Sequence, residues 1–541
     1  MGTVTYYCFE YQFLYFLFPS ETGTAQSVMK EADMQKKYLM GFDVGTSESK
    51  GSLTDLEGHI LATASVKHGI ISPHPGFAEH DPIGDWMRDL KSIIRSLLDQ
   101  VNGRAEEIAA IGISTIMAAV TFVDENCEPL RNAILYGIDT RCMAQAEEIN
   151  QKIGFERMQR EFGTLCTVEH FGAKILWVKE NEPEIFARTK HITFASGFLT
   201  ARLTGNYYVD KYSASSALPM LNIKTQQWDD EFCDLICPKE MLPIIAESTY
   251  SIVGTVTAKA AKETGLAEGI TVICGTTDAG AEAVSVGVVQ PEDTMLMYGS
   301  TAFYIGVTRE RVSGTKMWSN PYTIDNQYCC TGGMATTGSL TKWIRDEMAK
   351  EFVAQEEAGG ENAYTVLFRE AENIPVGSDG LIILPYFQGE RMPLQDPMAK
   401  GVFFGLNLQH TRGHIVHAAF EGIGYGIAQN LQLFADAGIP ISCVTAVGGG
   451  TKSLLWLQVV SDICGITQLV PEVVVGASYG DALMAGLALG TIESPAAIKN
   501  LIKIKHVIKP DMERHEEYQK YKEMFAKLYE NNKTMMHQLW S

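Results

Sequence analysis

Two short loops, Gly45-Thr46-Ser47 and Gly299-Ser300-Thr301, carry the residue types in this chain best suited to binding a charged ligand. Each follows an apolar run, Tyr38 to Val44 and Thr294 to Tyr298, and leads into another run of strand character. Each is therefore expected to be a hairpin turn. Glycine lets the backbone approach a ligand closely, and the hydroxyls of Thr46, Ser300 and Thr301 stand beside exposed N–H donors. That is equipment for phosphate oxygens, and two such loops imply a nucleotide gripped between two similar lobes. Asp43 ends the strand before the first loop. A carboxylate there can hold Mg2+ through water, because the ion keeps much of its hydration shell; an Asp capping a turn would read the same way. Asp278, in the segment Cys274 to Gly280 (CGTTDAG), has two readings. It can take the hydroxyl proton late in a phosphoryl transfer, or it can cap the apolar helix expected over 281–288. The triplet Gly448-Gly449-Gly450 either admits a flat ring or ribose to the backbone or is simply a tight turn.

The elements that would position these groups follow from hydrophobic spacing. A second hairpin is expected to turn at Glu57-Gly58, a helix to run from Asp85 to Leu98, and a buried strand from Ile108 to Ile113. The strand–loop–strand pattern of the start returns over 271–307, which suggests a duplicated unit. The second half is richer in helices: His414 to Ala435, Ser453 to Cys464, and a small-residue helix from Gly480 to Leu489. Tyr518, Tyr521, Phe525 and Leu528 fall on one face of a last helix. No low-complexity linker interrupts the chain, so its domains are expected to abut.

A chain of 541 residues needs two to four domains. A hydrophobic content of 46% is that of an ordinary globular protein, and a formal charge of −21 argues against nucleic acid or an acidic membrane as partner. ATP stays admissible where local N–H groups and a metal offset its phosphates. Eleven cysteines without a CxxC pair indicate reduced thiols and a cytoplasmic protein. Cys233, Cys237, Cys329 and Cys330 are expected as buried free thiols. The aromatic run from Tyr6 to Phe18 is too short to span a bilayer, and residues 1–35 are expected to add nothing to the fold. His410, His414, His417 and Glu421 have a helical spacing that could suit a metal, but the HExxH order is missing, and packed or solvated histidines are the better reading.

Several segments together resemble the FGGY family of carbohydrate kinases, and most closely its xylulokinase-type branch. They are Pro75 to Pro82 (PGFAEHDP), Ala173 to Asn181 (AKILWVKEN), Leu384 to Arg391 (LPYFQGER), and Gly401 to Leu406 followed by His414 to Glu421. The resemblance implies an α/β protein with an actin/hexokinase-like ATPase fold, two ribonuclease-H-like domains around a central cleft. On that pattern residues 36–284 form the sugar-side domain and 285–533 the nucleotide-side domain. It implies ATP and Mg2+, with Asp278 as the catalytic base and Asp43 on the magnesium side. Gly45, Thr46, Gly299, Ser300 and Thr301 become phosphate loops, and Gly448, Gly449 and Gly450 the adenosine-side turn. Met117, Glu79, Asp81, Asp139 and Arg141 become sugar contacts. Ile116 to Ala119 (IMAA) departs from the branch, which carries a sugar-contacting histidine where this chain has Ala118. The implied partner is a small ketopentose or related polyol, with no nucleic acid or membrane and a homodimer admitted. An actin- or chaperone-like ATPase switch and a catalytically silent sugar-binding scaffold are the alternatives.

Overall fold

Residues 36–313 and 316–539 are described by the computed structural model. The segment 1–35, expected to stand apart from the fold, lies outside them. Strands β1 (Tyr38–Val44), β2 (Glu48–Thr54) and β3 (Ile60–Lys67) form an antiparallel meander. Strands β4 (Ile108–Thr115), β5 (Ile252–Thr255) and β6 (Thr271–Ile273) complete one sheet in the order β5-β6-β4-β1-β2-β3. β4 runs parallel to β1, β6 parallel to β4, and β5 antiparallel at the edge.

The second half repeats the plan. It contains β7 (Thr294–Tyr298), β8 (Ala302–Thr308), β9 (Trp318–Pro321) and β10 (Tyr328–Met334). Later come β11 (Cys443–Val447), β12 (Thr467–Pro471) and β13 (Ile504–Ile508). Their order is β9-β10-β8-β7-β11-β12-β13. The meander β7-β8-β10 is antiparallel, β11 and β12 are parallel to β7, and β13 is an antiparallel edge. Apart from β9 here and the short strand Thr276–Thr277 beside β4 in the first sheet, strand order and direction are those of the first sheet. The duplication suspected from two glycine loops is thus visible in the topology.

Helices cover the sheets because β1 and β4 are apolar on both faces and must be buried on both. Helix α1 (Arg88–Val101) lays Leu90, Ile93, Ile94 and Leu97 on one face of the first sheet. Its path is set by Gly51, where a Cβ would lie 2.2 Å from Ile93. Helices α2 (Asp278–Ser285), at the end of the first half, and α3 (Gly338–Met348), α4 (Arg412–Asp436), α5 (Leu454–Cys464), α6 (Ala477–Leu489) and α7 (Met512–Gln538), in the second, follow.

The small residues of α6 now have a reason. The helix comes late in the chain yet packs against the other face of the first sheet. A Cβ on Gly41 would lie 1.7 Å from Ser478 O, and one on Gly112 would lie 2.4 Å from Asp481 O. α6 also crosses α2 so closely that a Cβ on Gly480 would stand 1.9 Å from Ala281 O. These two helices form the junction between the halves. The cysteines Cys233, Cys237, Cys329 and Cys330 are buried free thiols, as expected. No helix among the described residues is long and apolar enough to cross a membrane.

Candidate active site

Both loops are three-residue hairpin turns, Gly45–Ser47 between β1 and β2 and Gly299–Thr301 between β7 and β8. They close alike. Gly45 N–H donates to Glu48 O at 3.0 Å, and Gly299 N–H donates to Thr301 O at 3.0 Å. Thr46 and Thr301 line one cavity of about 560 Å³, together with Asp278, Glu282, Met117 and Ala118. The cavity therefore draws its walls from both halves, with α2 between them.

Asp278 is the first residue of α2, and the helix is capped by Thr277, whose Oγ1 accepts Gly280 N–H at 3.2 Å. The capping reading is thus excluded for Asp278, whose side chain is left for other work. Its Oδ1 accepts Ala279 N–H at 2.7 Å. Burial pushes its carboxyl up to about 6, against that hydrogen bond. Glu282 follows one helical turn later on the same cavity wall, and burial beside the Asp278 charge raises it to about 7.

Asp43 lies at the end of β1, 6% exposed. Burial first, and then the Asp278 charge, hold its carboxyl well above the ordinary range. Behind it stands Asp481 of α6, fully buried and raised well above the ordinary range by that burial and then by the Asp43 charge. Ser114 on β4 lies between them, its Oγ 3.1 Å from Asp43 Oδ1 and 2.7 Å from Asp481 Oδ2. One hydroxyl proton serves two carboxylates, and Asp481 Oδ1 has no partner. A cluster of hard oxygen donors with an orphaned buried carboxylate oxygen has the chemistry that Mg2+ selects.

Other expected residues sit elsewhere. Met117 lines the cavity, but Glu79, Asp81, Asp139 and Arg141 do not. The Arg141 side chain is 1% exposed and bonds Asp139 at 2.7 Å and Glu79 at 2.8 Å, while Glu79 also takes Arg131 at 2.7 Å. Asp139 Oδ2 further accepts Ala78 N–H, and Asp81 caps the turn at Ile83. Glu79, Asp139 and Arg141 are engaged in tying segment 77–81 to segment 131–141, and Asp81 in its own turn. The cavity lining thus gives their reading as sugar contacts no support. Gly448, Gly449 and Gly450 follow β11, which pairs with β7, so the turn abuts the second loop rather than the cavity wall. A Cβ on Gly448 would lie 2.7 Å from Tyr298 O, and its φ of +92° is open to glycine at little cost; Gly449 is exposed with open space around it. Of the histidines, His414 accepts Thr411 N–H at the start of α4, and His417 pairs with Ser378 and Glu421.

A model of the FGGY family of carbohydrate kinases, N-terminal domain, matches residues 38–285, and the C-terminal domain of the same family matches 294–489. The chain belongs to the FGGY family of carbohydrate kinases. A xylulose kinase of Staphylococcus epidermidis is 28% identical over 93% of this chain and 98% of its own length. A gluconokinase of Bacillus licheniformis is 26% identical over 91% of this chain and 95% of its own. Among solved structures, the xylulose kinase from Rhodospirillum rubrum superposes with a TM-score of 0.85 at 27% identity, covering 93% of this chain and 100% of that one. The fold is the actin/hexokinase-like pair of domains that the resemblance implied.

Sequence reasoning missed Glu282, Asp481 and Arg311. Glu282 is a full turn beyond Asp278, a spacing that could have flagged it. Asp481 is the one charge in a helix of small residues, which was a signal too. Arg311 on the cavity wall reaches across to Phe162 O at 3.5 Å, and no sequence pattern marks it.

Proposed function

We propose that this FGGY-family kinase moves the γ-phosphoryl group of ATP to a terminal hydroxyl of a ketopentose or a related sugar or polyol. The observation that carries the reading is the shared cavity, with Asp278 on its wall beside one threonine from each loop. Asp278 Oδ1 is occupied by its own helix, which leaves Oδ2 to accept the proton of the attacking hydroxyl. A carboxyl titrating near 6 is ionised at neutral pH and more basic than a solvated aspartate, as a general base requires. Unpaired N–H groups of the two loops hold phosphate oxygens and stabilise the charge that spreads over them. Asp43, with Asp481 behind it, would hold Mg2+, which supplies charge neutralisation at the phosphates when bound. Gly448 to Gly450 would border the adenosine beside the second loop.

The sugar lies against Met117 and Ala118, one apolar stretch of the wall. Xylulose kinases and gluconokinases both stand among the relatives, so the wall rather than the family selects the sugar. A coupled assay over ketoses, polyols and aldonates, read out by mass spectrometry of the phosphorylated product, tests this reading. Phosphorylation of a ketopentose or polyol is the expected result. ATP hydrolysis without any sugar would favour a switch, and inactivity with every sugar would favour a scaffold.

A further inference from the structure

The trans peptide group fixes a rule for each loop: its C=O and N–H point in opposite directions. Whatever holds a loop carbonyl therefore aims the next residue's N–H the other way. In the first loop two histidines do the holding. His68 Nε2 lies 3.0 Å from Gly45 O, and His80 Nε2 lies 3.1 Å from Thr46 O. A carbonyl can only accept, so both nitrogens carry protons.

The remaining nitrogens settle the rest. Trp86 Nε1, which can only donate, lies 3.1 Å from His80 Nδ1. His80 is therefore neutral, and burial together with the neighbouring His68 lowers it to about 4. His68 Nδ1 lies 2.8 Å from Asp89 Oδ2, with both side chains fully buried, and Arg88 holds the other oxygen of Asp89 at 2.7 Å. The two rings meet edge to face at 4.7 Å. Every polar ring atom of the pair has one partner and one role.

Two further observations point the same way. Thr46 N–H and Ser47 N–H, the donors of the two held peptides, bond to no acceptor among the described residues. The second loop repeats the arrangement with different groups. Gly338 N–H holds Gly299 O at 2.9 Å, and Thr337 and Ser339 N–H hold Ser300 O at 3.0 Å. Ser300 and Thr301 N–H are left without an acceptor in the same way.

We infer that His68 and His80 are positioning residues that aim Thr46 N–H and Ser47 N–H at a phosphate group in the cleft. The inference rests on the proposed nucleotide site, although it concerns phosphate binding and not the identity of the sugar. His80→Leu removes the donor and is expected to lower kcat/KM for ATP about tenfold to a hundredfold, with KM for the sugar unchanged. His80→Gln can accept from Trp86 and donate to Thr46, so it is expected to recover most of that loss. Trp86→Phe frees the His80 tautomer without touching the loop, and about a threefold to tenfold loss in kcat/KM for ATP is expected.

Melting temperatures and calorimetric MgATP binding accompany each variant. A leucine variant that melts lower but turns over ATP and sugar like the wild type would overturn the inference. So would equal losses in the leucine and glutamine variants. Should the leucine variant not fold, a damaged His80→Gln beside an unaffected Trp86→Phe overturns it equally. Wild-type protein that binds MgATP but phosphorylates no sugar defeats the kinase reading and leaves this inference standing.

Discussion

The first loop is braced by histidine side chains and the second by neutral peptide N–H groups and the hydroxyls of Thr337 and Ser339, on sheets of the same order and direction. Behind the first loop lie Asp278, raised by burial, and Asp43, Asp481 and Glu282, raised by burial and by neighbouring carboxylates, with His68 and Asp89 paired below. Behind the second loop lies the start of α3, whose neutral N–H groups hold the turn. A duplicated unit has thus become asymmetric. The first half, with α2 and α6 at the junction, carries the buried carboxyls, to which the proposed proton and Mg2+ roles fall. The second half offers, for the proposed phosphate contact, backbone and hydroxyl groups that titrate nowhere near neutrality. Sensitivity to pH and to Mg2+ should therefore reside on the first side of the cleft.

The strongest way to break that division is to remove the proton acceptor. Asp278→Asn is expected to cut phosphosugar formation about a thousandfold or more, the upper range of general-base effects. MgATP affinity by calorimetry should stay within about 1.4 kcal/mol of wild type, a tenfold change. Retained turnover would move the chemistry away from α2. Asp43→Asn comes next. It keeps a hydrogen-bonding partner for Ser114 but weakens a cation site, so about a hundredfold loss in kcat is expected at ordinary Mg2+, partly recovered at high Mg2+. A loss that no Mg2+ concentration repairs would argue that Asp43 serves packing alone.

Much of this division was legible in the residues. The loops announce themselves because a glycine beside hydroxyls between two apolar runs leaves few other structures. Asp278 was legible as a candidate but not as a choice, since a carboxylate beside a helix start looks like a cap until Thr277 is seen capping instead. Contacts made over long separations were not legible. Glu79 pairs with Arg131 and Arg141, more than 50 positions away, so its charge looked free when it was spent. Asp481 meets Ser114 across 367 positions, and nothing local in α6 tells which sheet it will cover. His68 and His80 are isolated histidines whose meaning comes only from the carbonyls above them. Short-range patterns encode turns and helix faces; partners brought together by the sheet are encoded only in the fold.

A smaller perturbation sharpens the contrast from the other side. Gly338 has no room for a side chain, because a Cβ would stand 2.4 Å from Gly299 O. Gly338→Val should displace the second loop and lower kcat/KM for ATP by about tenfold. Its Mg2+ requirement and its pH profile should match wild type, because no ionisable group has moved. A shifted Mg2+ requirement in this variant would show that the two loops are not chemically separate.

The last effect is the smallest and reads the same carboxyl twice. Asp278 has its folded value raised to about 6 from the ordinary 3.8, so the folded protein holds that proton more tightly than the unfolded chain. The sign follows from linkage: the stabilisation is present below the ordinary value and is lost as pH rises through about 6. At neutral pH the ionised group therefore costs about 1–3 kcal/mol of stability, the equivalent of a shift of one to two units. Asp278→Asn should melt higher than wild type near pH 7.5, and the gap should close near pH 4. In the same pH range the wild-type kcat should fall as pH drops below about 6, because the base becomes protonated. An acidic limb in kcat without the matching stability gap would assign the limb to Glu282, the other raised carboxyl on that wall. Matching midpoints in the two measurements would tie both to Asp278, whose ionised form drives the reaction while weakening the fold that holds it.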